Sequence, residues 1–141
     1  MNREELMNIL PHRSSMLLLD EAEVIDGVSY AKRKIVGDEW FLDGHFPDHP
    51  VVPGVVLCEM LAQSVCVCLD GTAAPDMHTL LTGLEKVRFR HPVVPGDVFE
   101  MKSEIVRAKS PFYFAKGEGF VNGKRCVSAE FSFALMQKET E

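Results

Sequence analysis

Basic residues are scarce in this chain. Lys and Arg total 15 against 21 Asp and Glu, for a formal charge of −6. That balance excludes a broad nucleic-acid-binding face, which needs positive charge, and leaves room only for a local basic patch. Cysteine is also sparse. Of four cysteines, Cys58, Cys66 and Cys68 fall in one apolar segment, which suits small core residues and excludes a disulfide framework. Low-complexity tracts, internal repeats and linkers are lacking, so residues 1–141 are expected to form a single domain. The opening Met1-Asn2-Arg3-Glu4-Glu5 is too acidic for a secretory leader, and no apolar h-region follows where one should. The longest apolar run, residues 51–69, is near membrane-spanning length. Pro53-Gly54 near its start and Glu59 and Gln63 inside it argue for a buried core helix instead. Cytoplasm is the default expectation. With 46% hydrophobic and 26% charged residues the chain is not disordered.

What is present is organised around Gly44-His45-Phe46-Pro47-Asp48-His49-Pro50-Val51-Val52-Pro53-Gly54 and the segment from Val55 to Leu69. Three prolines and two glycines make the first part a stiff loop. The second part predicts a helix, with Pro53 suited to its first position and Asp70-Gly71 to its end. Its apolar residues leave no polar stripe, so the helix should be buried all round. It nevertheless carries Glu59 and Gln63, four positions apart and so on one face. Burying a lone carboxylate is costly, and a raised pKa is the usual response. A loop histidine, His45, leading into a helix that buries a carboxylate has the look of an acid/base pair.

Around this centre the chain reads as one early helix and a late run of strands. Arg3 to Leu10 spaces Leu6, Ile9 and Leu10 as a short amphipathic helix ended by Pro11. Met16-Leu17-Leu18-Leu19 predicts a short strand, Asp26-Gly27 a turn, and Tyr30 to Val36 a half-exposed strand. Residues 72–79 read as a polar connection. In Leu84 to Arg90, strict alternation puts Leu84, Lys86, Arg88 and Arg90 on one face and Glu85, Val87 and Phe89 on the other. Pro95-Gly96-Asp97 is a turn. Val98 to Val106 alternates, with Phe99, Met101, Ser103 and Ile105 facing one way. Phe112 to Val121 is a further strand. Asn122-Gly123 is the strongest hairpin signal, returning a strand through Val127, Ala129, Phe131, Phe133 and Leu135. A frayed charged tail is expected from residue 137. The class is α+β, with the helix against one sheet face.

Several motifs in order carry a resemblance. They are Leu10-Pro11-His12-Arg13, Gly44-His45-Phe46-Pro47, Pro50-Val51-Val52-Pro53-Gly54, Glu59-Met60-Leu61-Ala62-Gln63, and Val87-Arg88-Phe89-Arg90-His91-Pro92-Val93-Val94-Pro95-Gly96-Asp97. In this order and spacing the chain resembles the (3R)-hydroxyacyl-[acyl-carrier-protein] dehydratases of the FabZ type. The resemblance implies a hot-dog fold, an antiparallel sheet wrapped round one long central helix. It also implies a homodimer or trimer of dimers, and dehydration of 3-hydroxyacyl thioesters without metal or organic cofactor. His45 and Glu59 stand at the family's catalytic positions. Departures occur at Leu80-Leu81-Thr82, where residues bordering the acyl tunnel are commonly aromatic, and at Glu21, where an arginine is common. Related dehydratase-isomerases carry aspartate where Glu59 stands, so Glu59 favours simple dehydration.

The chemistry needs a base at C2, an acid for the hydroxyl at C3, and a donor for the thioester carbonyl. His45 fits the base, a protonated Glu59 the acid, and the Gly54 N–H the carbonyl oxygen. Gln63 is a candidate to orient Glu59. Plainer readings stand beside each: His45 bonded to a backbone carbonyl, Glu59 paired with Arg88 or Arg90, Gln63 a satisfied core amide. His45 and His49 lack the helix that would make them a metal pair, Cys66 and Cys68 point to different helix faces, and Cys58 lacks a spaced histidine. Lys86, Arg88 and Arg90, with His91 adjacent, suit an acidic carrier protein or the phosphate of its arm, or form a solvated strand face. A hot-dog acyl thioesterase, a non-catalytic acyl-binding module in the same fold, and a dehydratase with added isomerase activity are the competing functions. The helix is apolar on every face while one sheet covers only part of it, so a second copy of the chain is expected to cover the rest.

Overall fold

The structure is a computed structural model that describes residues 1–8, 10, 16–42, 50–69 and 77–137. Its first element is α1 (Arg3–Leu6), a single turn opened by a capping box. The Asn2 side chain accepts from the Glu5 N–H, and the Glu5 carboxylate accepts from the Asn2 N–H. Then come β1 (Glu21–Ile25), β2 (Val28–Lys34), α2 (Gly54–Cys66), β3 (Met77–Phe89), β4 (Val98–Lys109), β5 (Phe112–Val121) and β6 (Lys124–Gln137). Tight 3-10 turns occupy Trp40–Leu42 and Val67–Leu69. The strands form one antiparallel sheet in the order β1-β2-β4-β5-β6-β3. Together with α2 this is the α+β hot-dog architecture.

Turn chemistry agrees with the sequence. Asp26 and Gly27 both take positive φ at the β1–β2 turn, and Asn122 and Gly123 do so at the β5–β6 turn. The 94–97 turn is closed by the Val94 N–H, which donates to the Asp97 carboxylate. Alternation in β4 buries Phe99, Met101 and Ser103 as expected. β1 is a strand the sequence reading passed over, and β3 begins inside the segment read as a polar connection.

The helix sits deep because the sheet beneath it is made of small residues. Ser29, Ser103, Gly117 and Ala129 lie opposite one another across β2, β4, β5 and β6. A Cβ at Gly117 would already touch Ser103, Phe131 and the Leu61 side chain of α2. One buried bond fixes the helix on this row. Ser64 Oγ donates to the Leu61 carbonyl at 2.7 Å and stands 2.7 Å from Ser103 Oγ. Since its proton is committed to the carbonyl, Ser64 accepts from Ser103.

Two expectations fail for physical reasons. Residues 16–19 do not form a ladder strand, although Leu17, Leu18 and Leu19 are all buried; their backbone groups bond to side chains instead. In β3, strict alternation breaks. Glu85 pairs with Glu130 and Arg88 with Ser128, so Lys86 and Val87 together oppose Ala129 in a bulge, with Lys86 at positive φ. The bulge reverses the parity ahead of it. Leu84 lies on the core side opposite Phe131, and Glu85 joins Lys86 and Arg88 on the outer side.

Covering the helix does not call for a second copy of the chain, since ten of the 13 residues of α2 are buried within one chain. Exposed apolar side chains include Val55 in the first turn of α2 and Leu80, Leu81, Leu84 and Phe89 along the β3 edge.

Candidate active site

Pro53 opens α2 with extended backbone and no side-chain cap, and its carbonyl accepts from the N–H groups of Val56 and Leu57. Gly54 is the first helical residue, so its N–H points ahead of the intrahelical ladder. The approach to the helix is anchored by the Val52 N–H, which donates to the Val93 carbonyl at 2.8 Å. Glycine at position 54 answers a packing demand. A Cβ there would lie 2.7 and 2.8 Å from ring atoms of Phe89. The aromatic ring of β3 therefore rests directly on the first turn of α2.

Beyond that first turn, every residue of α2 is buried except Glu59, which is partly exposed. Past the first turn, Glu59 is thus the one residue of α2 that reaches the surface. Gln63, one turn on and 1% exposed, donates from Nε2 to Glu59 Oε1 at 3.1 Å and to the Met16 carbonyl at 2.8 Å. Its Oε1 accepts the Leu18 N–H at 3.0 Å. Sequence spacing anticipated the contact between Gln63 and Glu59. The partnership with residues 16–18 spans more than 40 positions and left no local signal.

Gly54 and Glu59 do not share a face. Five residues of α-helix separate them by roughly 140° of rotation and about 7.5 Å of rise. Arg88 and Arg90 lie on the side of the sheet away from α2: Arg88 opposes Ser128, and Arg90 Nη1 stands 3.3 Å from Ser128 Oγ. Pairing with Glu59 is therefore the weaker reading. Lys86 is engaged with Glu130 at 3.3 Å, while Arg88 is exposed. His45, His49 and Gly44 lie outside the described residues, as do Pro11, His12, Arg13, Ile9, residues 70–76 and the tail from 138.

The thiols are poor nucleophile candidates. Burial raises the pKa of Cys58, Cys68 and Cys126. Cys66 is pushed up to about 11, by burial first, against a hydrogen bond from Thr79 and with help from the nearby Glu59 charge. A second carboxylate, Glu39, has a structural job. It is buried and accepts from the Val36 and Gly37 N–H groups at 3.0 and 2.8 Å and from Arg33 at 3.3 Å. Burial alone would raise its pKa, but these donors hold it below the usual range. No helix among the described residues is long and apolar enough to cross a membrane.

Comparison with known proteins places this geometry. The sequence profile of the FabA-like domain family matches residues 10–130. The 3-hydroxyacyl-[acyl-carrier-protein] dehydratase FabZ of Myxococcus xanthus is 37% identical over 142 residues, covering 97% of this chain and 93% of that protein. The FabZ of Clostridium perfringens strain SM101 is 38% identical over 137 residues, covering 96% and 99%. Among solved structures, the dehydratase heterocomplex ApeI:P from Xenorhabdus doucetiae superposes with a TM-score of 0.81 at 22% identity, covering 94% of this chain and 91% of that one. A hypothetical thioesterase with coenzyme A from Streptococcus pneumoniae does so with a TM-score of 0.67 at 12% identity, covering 97% and 98%. At such low identity the two structures speak for the fold alone. Full-length identity to the dehydratases, the family profile and the helix-centred sheet agree: the chain belongs to the FabA-like family, among its FabZ-type dehydratases.

Proposed function

We propose that this protein removes water from (3R)-hydroxyacyl chains on acyl carrier protein, giving trans-2-enoyl thioesters in type II fatty acid biosynthesis. The observation that carries the reading is Glu59, a carboxylate held by Gln63 and partly exposed on an otherwise buried stretch of helix, in a chain matching FabZ-type dehydratases over nearly its full length. His45 takes the proton from C2. The freed electron pair forms the C2=C3 double bond as the C3–O bond breaks, and Glu59 delivers a proton to the departing oxygen. The Gly54 N–H donates to the thioester carbonyl as charge builds there. One proton has entered on His45 and one has left Glu59, so returning the first to the second resets the site.

The test is turnover of 3-hydroxyacyl-carrier substrates of several chain lengths, with products identified by mass. An α,β-unsaturated thioester is expected, and free thiol would indicate the thioesterase reading instead. His45→Ala and Glu59→Gln should each lower turnover by at least ~10²-fold. Near wild-type rates in either folded variant would remove that residue from the mechanism.

A homodimer is part of this proposal, with a trimer of dimers as the larger assembly. Support comes from the exposed apolar edge of β3 and from the wide angular separation of Gly54 and Glu59, which suits two sites better than one. His45 and Gly54 of one subunit would then meet Glu59 of its partner. Mixing His45→Ala with Glu59→Gln tests this. With shared sites, random pairing restores roughly a quarter of wild-type sites; with unshared sites every site keeps one lesion. No recovery after demonstrated subunit exchange would reject sharing. Docking of the acidic carrier is proposed on the basic residues of the β3 end, with Arg88 foremost because Lys86 and Arg90 are already engaged.

A further inference from the structure

Residues 17–19, which follow a 3-10 turn at Met16, belong to no strand of the sheet. Three consecutive leucines bury their side chains here, and buried backbone donors and acceptors must find partners. Here the polar groups of alternate residues bond to opposite sides of the segment. Both sides are occupied by side chains. On one, Arg3 Nη1 donates to the carbonyls of Leu17 and Leu19 at 2.9 and 3.1 Å. On the other, Gln63 accepts the Leu18 N–H and donates to the Met16 carbonyl.

This arrangement dictates which way the Gln63 amide faces. A backbone N–H can only donate and a carbonyl can only accept, so Oε1 must face Leu18 and Nε2 must face Met16. Nε2 has one remaining hydrogen, and Glu59 Oε1 lies 3.1 Å away to receive it. A reversed amide would lose both main-chain bonds at once. Glu59 Oε1 is thereby fixed as an acceptor, and a proton carried by this carboxyl belongs on Oε2.

We propose that Arg3 and the main chain of residues 16–19 are a remote positioning device for Glu59, acting through Gln63. Arg3 aligns the segment from one side, the segment sets the amide of Gln63 from the other, and the amide sets the carboxyl. Arg3 is itself placed by the capping box of α1. The proposal rests on Glu59 being the acid of the dehydration.

The experiment uses Arg3→Met, Arg3→Lys and Gln63→Met in the full chain, assayed with 3-hydroxybutyryl-carrier protein. Loss of orientation without loss of binding predicts that Gln63→Met lowers kcat by about tenfold and Arg3→Met by about threefold, with KM within about twofold for both. Arg3→Lys keeps a donor and should recover most of the rate. Combined with Glu59→Gln, neither Met variant should lower the residual rate further, because the group being positioned is gone. Losses that multiply in that background, or an unchanged kcat in folded Gln63→Met and Arg3→Met, would overturn the proposal. Should either Met variant fail to fold, hydrogen exchange on the wild-type protein decides. The Leu18 amide and the Gln63 side-chain protons should be protected, and the latter should shift on Glu59→Gln; rapid exchange at both would overturn the linkage. A wild-type protein that leaves hydroxyacyl substrate unchanged would instead sink the dehydratase reading, while the exchange result would still judge the linkage.

Discussion

The inner face of the sheet offers α2 the row Ser29, Ser103, Gly117 and Ala129, while the outer face of the same strands carries Lys102, Glu104, Lys116, Glu118 and Glu130. Inside, space is so limited that single atoms decide the packing, and the Ser64–Ser103 bond has a fixed direction. Outside, opposite charges meet across strands, Lys116 with Glu104, Lys86 with Glu130 and Arg125 with Glu118, each pair open to water. The lesson is where specification resides. Changes inside should be expensive and depend on atomic detail; changes outside should be cheap and depend on salt and partners.

Gly119 should give the largest effect on stability. It lies on the inner face opposite Met101, and a Cβ there would collide with the fully buried ring of Phe99. Because the ring is fully buried, Gly119→Val should cost about 3 kcal/mol as an overpacked core. Urea unfolding followed by circular dichroism measures this. A cost under ~1 kcal/mol would mean that the inner face is as forgiving as the outer one.

The buried serines sharpen the comparison, because they differ only in their partners. Ser64→Ala would leave the Ser103 hydroxyl buried without its acceptor, at a cost of about 1–3 kcal/mol. Ser103→Ala removes the donor and leaves Ser64 bonded to Leu61, so about 1 kcal/mol is expected. The Ser29 hydroxyl is buried with no hydrogen-bond partner among the described residues, so Ser29→Ala should be neutral or stabilising by up to ~1 kcal/mol. Equal costs at all three positions would show that volume alone matters on this face.

Much of this architecture was legible from sequence, and what was missed has a common cause. Local devices read correctly: Asp26-Gly27, Asn122-Gly123, the alternation of β4, and a helix whose lack of a polar stripe does mean burial. Glu59 and Gln63 were also visible, because a polar pair one turn apart stands out in an apolar helix. The bulge at Lys86 was invisible because the extra residue is defined by its pairing with β6, and parity counted from one strand alone cannot detect it. Residues 16–19 looked like a strand because they are a short apolar run; that the hydrogen-bond partners of this segment are Arg3 and Gln63 depends on contacts 14 to 47 positions away. The cover on α2 was underestimated because the small inner row is assembled from four separate strands. The motif containing His45 was legible as a motif only, and its histidine lies outside the described residues.

On the outer face, Arg88→Glu should leave stability within ~0.5 kcal/mol of wild type. If Arg88 meets the carrier, KM for carrier-bound substrate should rise a few-fold at low salt, with KM for a short thioester mimic nearly unchanged. Lys86→Glu should do less, since Lys86 is already matched by Glu130. Equal effects on both substrates would instead tie Arg88 to the pocket or the fold.

The smallest effect belongs to the Lys116–Glu104 pair. The two residues are directly opposite on β5 and β4, with 3.3 Å between charged atoms. Direct opposition is the best arrangement a sheet offers, yet both side chains are substantially exposed, at 57% and 37%. In water the Coulomb gain is weak and is offset by the entropy of holding two long side chains together. A double-mutant cycle with Lys116→Ala and Glu104→Ala should therefore give a coupling of about 0.2–1 kcal/mol. Raising the salt to about 1 M, where screening acts over roughly 3 Å, should remove most of it. Hydrogen bonding from Ser103 to Ser64, buried behind the same strands, should keep its coupling under that change. A Lys116–Glu104 coupling above ~2 kcal/mol, or one indifferent to salt, would place this pair among the specifying contacts and erase the distinction between the two faces.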